Sequence, residues 1–283
     1  MNLKAQLKEV WFPEICFITL FALAGYTSGN IRFNPSKEVP LLMFLILGCF
    51  FLASQILKSF LQIPKQDLML KKKILALVAM VMMLTPPFVC YGQGWNPFIA
   101  TSLMFCLVAG FSFTNSWWLK KIKNLPGLDL IVHSLTWGCL SMSVGVLFSG
   151  LEPETRSWLI VLLGFYLFAS YSLVVKMNGS ETIEEKPSLI MYLGESRTLE
   201  LIAILQLFGV IGLTTLYLSE YESLNAISFT FYVLFTLIAL VSVFKTLVWS
   251  KQPTFKKRFN YLFFLITNNL YLLCWVVAEW FYQ

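Results

Sequence analysis

The sequence predicts an all-α integral membrane protein with nine transmembrane helices, and three observations carry this prediction. First, 58% of the 283 residues are hydrophobic and only 13% are charged, whereas a soluble domain has about 25% charged residues. Second, the apolar residues form continuous runs of about 20, which is the length that crosses about 30 Å of hydrocarbon. Third, apolar and polar residues do not alternate within these runs, which excludes a membrane β-barrel.

Nine apolar runs follow one another and are separated by short polar segments. We predict spans at residues 9–29, 39–61, 73–92, 96–115, 128–150, 157–176, 198–218, 226–248 and 260–281. Because no long polar stretch divides them, residues 1–283 are predicted to form a single nine-helix membrane domain. Pro86 and Pro87 fall inside the third run, where they are predicted to kink the helix.

The basic residues indicate how the helices are oriented. With the N-terminus in the cytoplasm, 18 of the 21 basic residues fall on the inner side, and only Arg32, Lys37 and Arg156 fall on the outer side. This bias follows the positive-inside rule, and a missed or extra span would scramble it. We therefore predict a cytoplasmic N-terminus and an outer C-terminus, in the cytoplasmic (inner) membrane if the cell is bacterial. Since topology explains the charge of +6, we expect no nucleic-acid partner.

Two stretches that border the inner loops are recognisable. Residues 112–130 read SFTNSWWLKKIKNLPGLDL, and residues 166–194 read YLFASYSLVVKMNGSETIEEKPSLIMYLG. Both resemble the UbiA-type membrane prenyltransferase superfamily. The first is similar to the segment after that family's fourth helix. The second is similar to its sixth helix and following loop. In the family this loop ends in Thr-Leu, then four residues, then Gly. Here Leu189 and Gly194 match that ending, and Ser188 replaces the Thr.

The resemblance implies a fold and an activity. It implies a UbiA-type bundle of nine helices and the transfer of a prenyl group from a polyprenyl diphosphate to a lipophilic acceptor. The expected partner is an isoprenoid or other long-chain membrane lipid, held in a cavity open to the cytoplasm and the bilayer. The family holds Mg²⁺ against the diphosphate with two aspartate-rich motifs, so the resemblance implies Mg²⁺ as cofactor if the protein is catalytically active.

The sequence departs from both of those motifs. Where the first is expected, SQILKSFLQIPKQDLMLKKK contains Asp67 as its only acid. In the second, Met177 and Glu181 stand at the two expected aspartates, and Glu185 stands at the expected glycine. If the protein is active, Asp67, Glu181, Glu184 and Glu185 are the candidate metal ligands, because Mg²⁺ prefers oxygen ligands. The alternative is that these acids belong to ordinary solvated loops.

Lysines near the same loops are candidates for binding diphosphate. Lys65, Lys120, Lys121 and Lys123 lie on the predicted inner side, and lysine can hold a phosphate as a point charge. The alternative is that they only set the topology and attract anionic lipid.

Polar residues inside the predicted spans give two further hypotheses and one position to note. Asp129 and His133 are four residues apart and share a helix face, which predicts either an acid–base pair at a cytoplasm-facing cavity or a polar pair near the membrane interface. Asn268 and Asn269, near the middle of the last span, are predicted to join helices rather than to bind substrate. Glu279 falls near the outer end of that span.

The sequence therefore leaves three functions open and assigns no catalytic residue. One is a working prenyltransferase, and the second is a non-catalytic relative that binds a lipid. The third is a structural subunit with membrane-protein partners. A secondary transporter is expected to show inverted repeats and a midplane ion site, and the sequence shows neither.

Overall fold

In the computed structural model, all regular structure among the described residues is helical. The structure describes residues 12–29, 45–54, 69–92, 98–106, 125, 127–149, 155–179, 189–219, 225–251 and 261–281. The helices are α1 (Phe12–Gly29), α2 (Met69–Tyr91), α3 (Leu128–Ser134), α4 (Leu140–Phe148), α5 (Thr155–Gly179), α6 (Leu189–Leu193), α7 (Glu195–Ser219), α8 (Ala226–Ser250) and α9 (Tyr261–Trp280). A π-helical turn, Leu135–Cys139, joins α3 to α4, and residues 45–54 and 98–106 are also helical.

The described helices confirm an all-α integral membrane protein. Five are long and apolar enough to cross a membrane: Leu130–Phe148, Thr155–Met177, Glu195–Ser219, Ala226–Ser250 and Phe263–Trp280. They match predicted spans five to nine. The shorter apolar segments lie within predicted spans one to three: Ile15–Ser28, Leu45–Ser54 and Leu77–Val89. The total of nine spans and the sides of the termini stay predictions.

The predicted proline pair lies inside the third predicted span. Pro86 and Pro87 both belong to α2, and both are buried. Helical structure continues through them to Tyr91. The kink itself stays a prediction.

Helix α5 lies at the centre of the described bundle. It packs against α7 and against the α3–π turn–α4 segment, and it also touches α1 and α9. Helices α7, α8 and α9 pack in succession, and α9 returns to α1, which packs against α4. Burial agrees with this arrangement, because 61% of the apolar stretch of Thr155–Met177 is buried, against 33% for Ala226–Ser250.

Two glycines bring the backbones of α1 and α4 into contact. A Cβ atom on Gly145 would lie 2.0 Å from the Ala22 carbonyl oxygen, and one on Gly25 would lie 2.1 Å from the Met142 carbonyl oxygen. No side chain fits at such distances. In lipid, spans associate largely through close contacts of this kind between small residues, so α1 and α4 depend on glycine at both positions.

The antiparallel helices define two ends of the bundle. Ser28 near the end of α1, Arg156 at the start of α5, Tyr217 near the end of α7 and Glu279 near the end of α9 lie together, and we name this the Glu279 end. Helix α3 begins at the opposite end, which we name the His133 end. The topology prediction makes the His133 end cytoplasmic and the Glu279 end outer.

Candidate ligand-binding interior

All eight side chains predicted to hold diphosphate or metal lie outside the described residues. These are Lys65, Asp67, Lys120, Lys121, Lys123, Glu181, Glu184 and Glu185. Their roles stay predictions. Within the described part of the chain, no group of three or more His, Cys, Asp or Glu side chains could hold a metal ion.

The structure describes where two of these segments rejoin the bundle. The segment with Lys120, Lys121 and Lys123 is followed by the turn at Gly127, and the segment with the three glutamates is followed by Leu189. A Cβ atom on Gly127 would lie 3.8 Å from Leu189 Cδ1. The two segments therefore return to the bundle side by side, at the His133 end.

Glycine is required at the two turns that start α3 and separate α6 from α7. Gly127 has a φ of +91° and Gly194 a φ of +77°, a region that other residues rarely adopt. The Gly127 carbonyl accepts from the Ile131 N–H at 3.0 Å, and the Gly194 N–H donates to the Ile190 carbonyl at 2.8 Å. The glycine that closes the recognisable 166–194 stretch thus ends α6 and allows α7 to begin.

His133 lies in the last turn of α3 and is half-buried. Its ring centroid is 5.7 Å from that of Phe168 on the central helix α5, so its ring faces the interior of the bundle. Asp129 lies four residues earlier on the same helix, but its side chain is outside the described set. The predicted Asp129–His133 pair therefore stays a prediction.

Aromatic rings fill the interior beside His133, between α1 and α5. Phe17 and Tyr171 are stacked, with ring centroids 3.8 Å apart and an interplanar angle of 12°. Phe21 meets Phe168 edge to face at 5.5 Å. All four side chains are at most 2% exposed. The sequence did not identify these rings, because its 26 phenylalanines occupy lipid-facing and buried positions alike.

A π-helical turn interrupts the predicted fifth span directly after His133 and Ser134. Within it, Gly138 packs against α5, since a Cβ atom there would come 2.8 Å from Phe168 Cβ. Turns of this type are rare and frequently occur at functional sites. The sequence could not reveal it, because the apolar run continues through it unchanged.

Two buried serine hydroxyls flank the π turn. Ser134 Oγ and Ser141 Oγ are fully buried and form no hydrogen bond with any described residue. By contrast, Ser143 Oγ donates to the Cys139 carbonyl at 2.8 Å, as serine in a membrane helix commonly does. Buried hydroxyls without a partner are uncommon, so Ser134 and Ser141 are candidate donors to a molecule in the interior.

Comparison with known proteins identifies the fold. No protein-family model and no curated protein sequence matches the chain. Among solved structures, a UbiA homologue from Archaeoglobus fulgidus bound to GPP and Mg²⁺ matches with a TM-score of 0.68 at 13% identity, over 94% of both chains.

Two further solved structures agree. A UbiA homologue from Aeropyrum pernix K1 matches with a TM-score of 0.65 at 11% identity, over 92% of this chain and 96% of that one. A digeranylgeranylglyceryl phosphate synthase structure matches with a TM-score of 0.58 at 16% identity, over 98% of both chains. The chain therefore has the UbiA-type fold that the sequence resemblance implies.

Proposed function

We propose that this UbiA-type protein binds a polyprenyl diphosphate, with the isoprenoid chain in the bundle interior and the diphosphate at the His133 end. We further propose that it transfers the prenyl group to a lipophilic acceptor. The observation that supports this proposal most is the aromatic interior beside His133. A UbiA homologue of similar fold, from Archaeoglobus fulgidus, is bound to GPP and Mg²⁺.

The isoprenoid chain is the part of the ligand that suits the described residues. Phe17, Phe21, Phe168 and Tyr171 pack against one another between α1 and α5, and an isoprenoid chain would insert beside these rings. Each CH₂ group that a ligand buries against such surface contributes about 0.8 kcal/mol. The hydroxyls of Ser134 and Ser141 lie nearby in the sequence of the same span and would donate to the polar part of a ligand or to an ordered water.

The diphosphate is assigned to the two segments that return at Gly127 and Leu189. Lys120, Lys121 and Lys123, together with Lys65, supply positive charge. Glu181, Glu184 and Glu185, together with Asp67, supply the carboxylate oxygens that Mg²⁺ prefers. When bound, Mg²⁺ would offset the negative charge of the diphosphate.

A non-catalytic relative that binds an isoprenoid lipid is the second candidate. The observation that favours it is Met177, at the end of α5. It stands where the resembling family carries an aspartate, and a thioether is no ligand for Mg²⁺. The fold and the aromatic interior suit both candidates equally, so only the acidic side chains distinguish them.

Binding and diphosphate release, measured on one preparation, separate the two candidates. Purified protein is incubated with radiolabelled geranyl diphosphate and a membrane lipid extract as acceptor, with and without Mg²⁺. A prenyltransferase releases diphosphate only with Mg²⁺, and Glu181→Gln abolishes the release. Glu200→Gln, which changes an exposed carboxylate on α7, is the matched control and retains it. Binding without release supports the non-catalytic relative, and absence of both contradicts both candidates.

A further inference from the structure

A lysine lies on the lipid-facing surface of α8, inside the predicted eighth span. Lys245 is exposed, and so are its neighbours on the same helix face, Val241 at 50% and Val248 at 40%. The lysine therefore interrupts an apolar stripe, since residues three or four apart on a helix are neighbours. It precedes Ser250, the last residue of α8, by about 7.5 Å at 1.5 Å per residue. A cation at this depth is costly unless an anion or water reaches it.

Aromatic rings of α8 and α9 hold this ammonium group in place. Lys245 Nζ lies 5.6 Å from the centroid of the Phe263 ring of α9. The Trp249 ring, one turn later on α8, meets Phe263 edge to face at 6.0 Å. A ring face attracts a cation, but it carries no net negative charge that could neutralise one. Tryptophan is enriched at the level of the lipid headgroups, so Trp249 places the ammonium close to that level.

The described part of the chain supplies no counter-ion for Lys245. Residues 223–278, which include all of α8 and most of α9, contain no Asp or Glu. On the neighbouring helix α7, Glu195 and Glu200 are exposed, but neither forms an ion pair with Lys245. An anion from the surroundings would therefore meet an uncompensated positive charge at this position.

The sequence after Lys245 carries further positive charge. Lys251 is exposed at the end of α8, and the chain that joins α8 to α9 adds Lys256, Lys257 and Arg258. Basic residues clustered directly after a span attract anionic lipid. A headgroup that carries an amine beside its phosphate would be partly repelled, so the charge favours a lipid with a net negative headgroup.

The apolar surface next to Lys245 suits the acyl chains of such a lipid. Toward the middle of the span, Leu237 is 55% exposed, Val241 50% and Phe244 67%. A phospholipid has its parts in the same order, with the phosphate at the interface and the acyl chains toward the middle of the bilayer. A soluble anion would use only the charge of this surface, whereas a phospholipid would use the charge and the apolar stripe together.

We propose that Lys245, Trp249 and Phe263, which we name the Lys245 site, bind one anionic phospholipid from the leaflet at the His133 end. Lys245 Nζ donates to a phosphate oxygen, and an acyl chain lies along Leu237 and Val241. This inference goes beyond the proposed function, because the site is on the lipid-facing surface of the bundle. It does not depend on which ligand the interior binds or whether that ligand reacts.

Counting bound lipids by native mass spectrometry tests the site. The purified full-length protein in detergent is titrated with phosphatidylglycerol or with phosphatidylcholine, and the affinity for the first bound lipid is measured. We expect phosphatidylglycerol to bind more tightly. Lys245→Met keeps the length of the side chain and removes its charge. It should weaken binding of phosphatidylglycerol about fivefold, the effect of one basic residue near an anionic lipid surface.

Two further variants distinguish a defined site from general attraction. Arg197→Gln is the matched control, because it removes an exposed positive charge at the same end of the bundle but on α7. It should leave the affinity for phosphatidylglycerol unchanged. Lys245→Arg keeps the charge and should keep most of the affinity. If Lys245→Met does not fold, Lys245→Gln takes its place with the same expected result.

Three results would overturn the proposal. Equal affinities for the two lipids would show that the protein does not select a negative headgroup. An unchanged affinity after loss of the Lys245 charge, or an equal loss in Arg197→Gln, would show that no defined site exists at Lys245. Release of the bound lipid by an equal concentration of glycerol phosphate would show that the acyl chains contribute nothing, and that a soluble phosphate is the ligand.

Discussion

A single buried amide, Asn268, shows how one residue organises the C-terminal helices. Its Oδ1 accepts from Gln206 Nε2 of α7 at 3.1 Å and from the Tyr271 hydroxyl. Gln206 Nε2 also donates to Ser242 Oγ of α8 at 3.3 Å. The prediction that Asn268 joins helices is confirmed. Its neighbour Asn269 donates to a carbonyl of its own helix. The sequence alone could not tell which of the two asparagines contacts other helices.

The first prediction concerns Asn268. Asn268→Leu removes the shared acceptor and leaves buried donors of Gln206 and Tyr271 unpaired, so the free energy of unfolding should fall by about 1–3 kcal/mol. Denaturant unfolding in detergent measures it. Asn269→Leu is the matched control and should cost clearly less. Equal losses of unfolding free energy in the two variants would mean that any polar side chain at this depth stabilises the protein, and that the specific contacts of Asn268 do not.

The second prediction concerns the buried hydroxyl of Ser134. Because this hydroxyl has no described partner, Ser134→Ala should leave the melting temperature unchanged or slightly higher. If the proposed ligand uses the hydroxyl, binding of geranyl diphosphate should weaken about fivefold, the effect of one neutral hydrogen bond of about 1 kcal/mol. Ser143→Ala, which changes a serine bonded to its own helix, should not affect binding. Equal affinities in the two variants would remove Ser134 from the site.

At the scale of elements, the apolar runs predicted the positions of the long helices closely. The predicted eighth span, 226–248, corresponds to α8, Ala226–Ser250. Its start is sharp because the Asn225 side chain accepts the Ser228 N–H at 2.8 Å, which is the common role of asparagine before a helix. Two elements were missed. The π turn leaves hydropathy unchanged, and α6 has only five residues, too few for any periodicity.

The third prediction tests the contact between α1 and α4. Gly145→Ala places a Cβ atom 2.0 Å from the Ala22 carbonyl oxygen, so the two helices must move apart. We expect a loss of about 1–3 kcal/mol of unfolding free energy, as in other overpacked interiors. Gly48→Ala is the matched control, because nothing lies within 4 Å of its Cβ position. It should be neutral or stabilising by up to about 1 kcal/mol. A tolerated Gly145→Ala would show that this contact is loose.

At the scale of the whole molecule, the sequence predicted the class of protein. It did not predict which residues, distant from each other in the sequence, come into contact. Arg156 was counted only as one of three outer basic residues, and Glu279 only as an acid near the outer end. They are 123 positions apart, and no local pattern indicates that α5 and α9 bring them together. Likewise, no spacing rule places Gly127 against Leu189, because that contact depends on how α3 and α6 pack.

The last prediction concerns the orientation of the whole bundle. An odd number of spans puts the termini on opposite sides, and the charge bias puts the N-terminus inside. In cells, a fluorescent protein that folds only in the cytoplasm should therefore glow when fused to the N-terminus and stay dark when fused to the C-terminus. Fluorescence from both fusions would mean an even number of spans.

An even number would have consequences beyond the count. The α3–π turn–α4 segment and helices α5, α7, α8 and α9 are each long enough to cross, so the missing span would lie among the first four predicted runs. Every basic residue from Lys120 onward would then change sides, and the charge bias that supports the orientation would be lost. The Glu279 end would face the cytoplasm, and the proposed ligand entrance at the His133 end would face outward. One pair of fusions therefore tests the span count and also the side from which a cytoplasmic diphosphate can reach the interior.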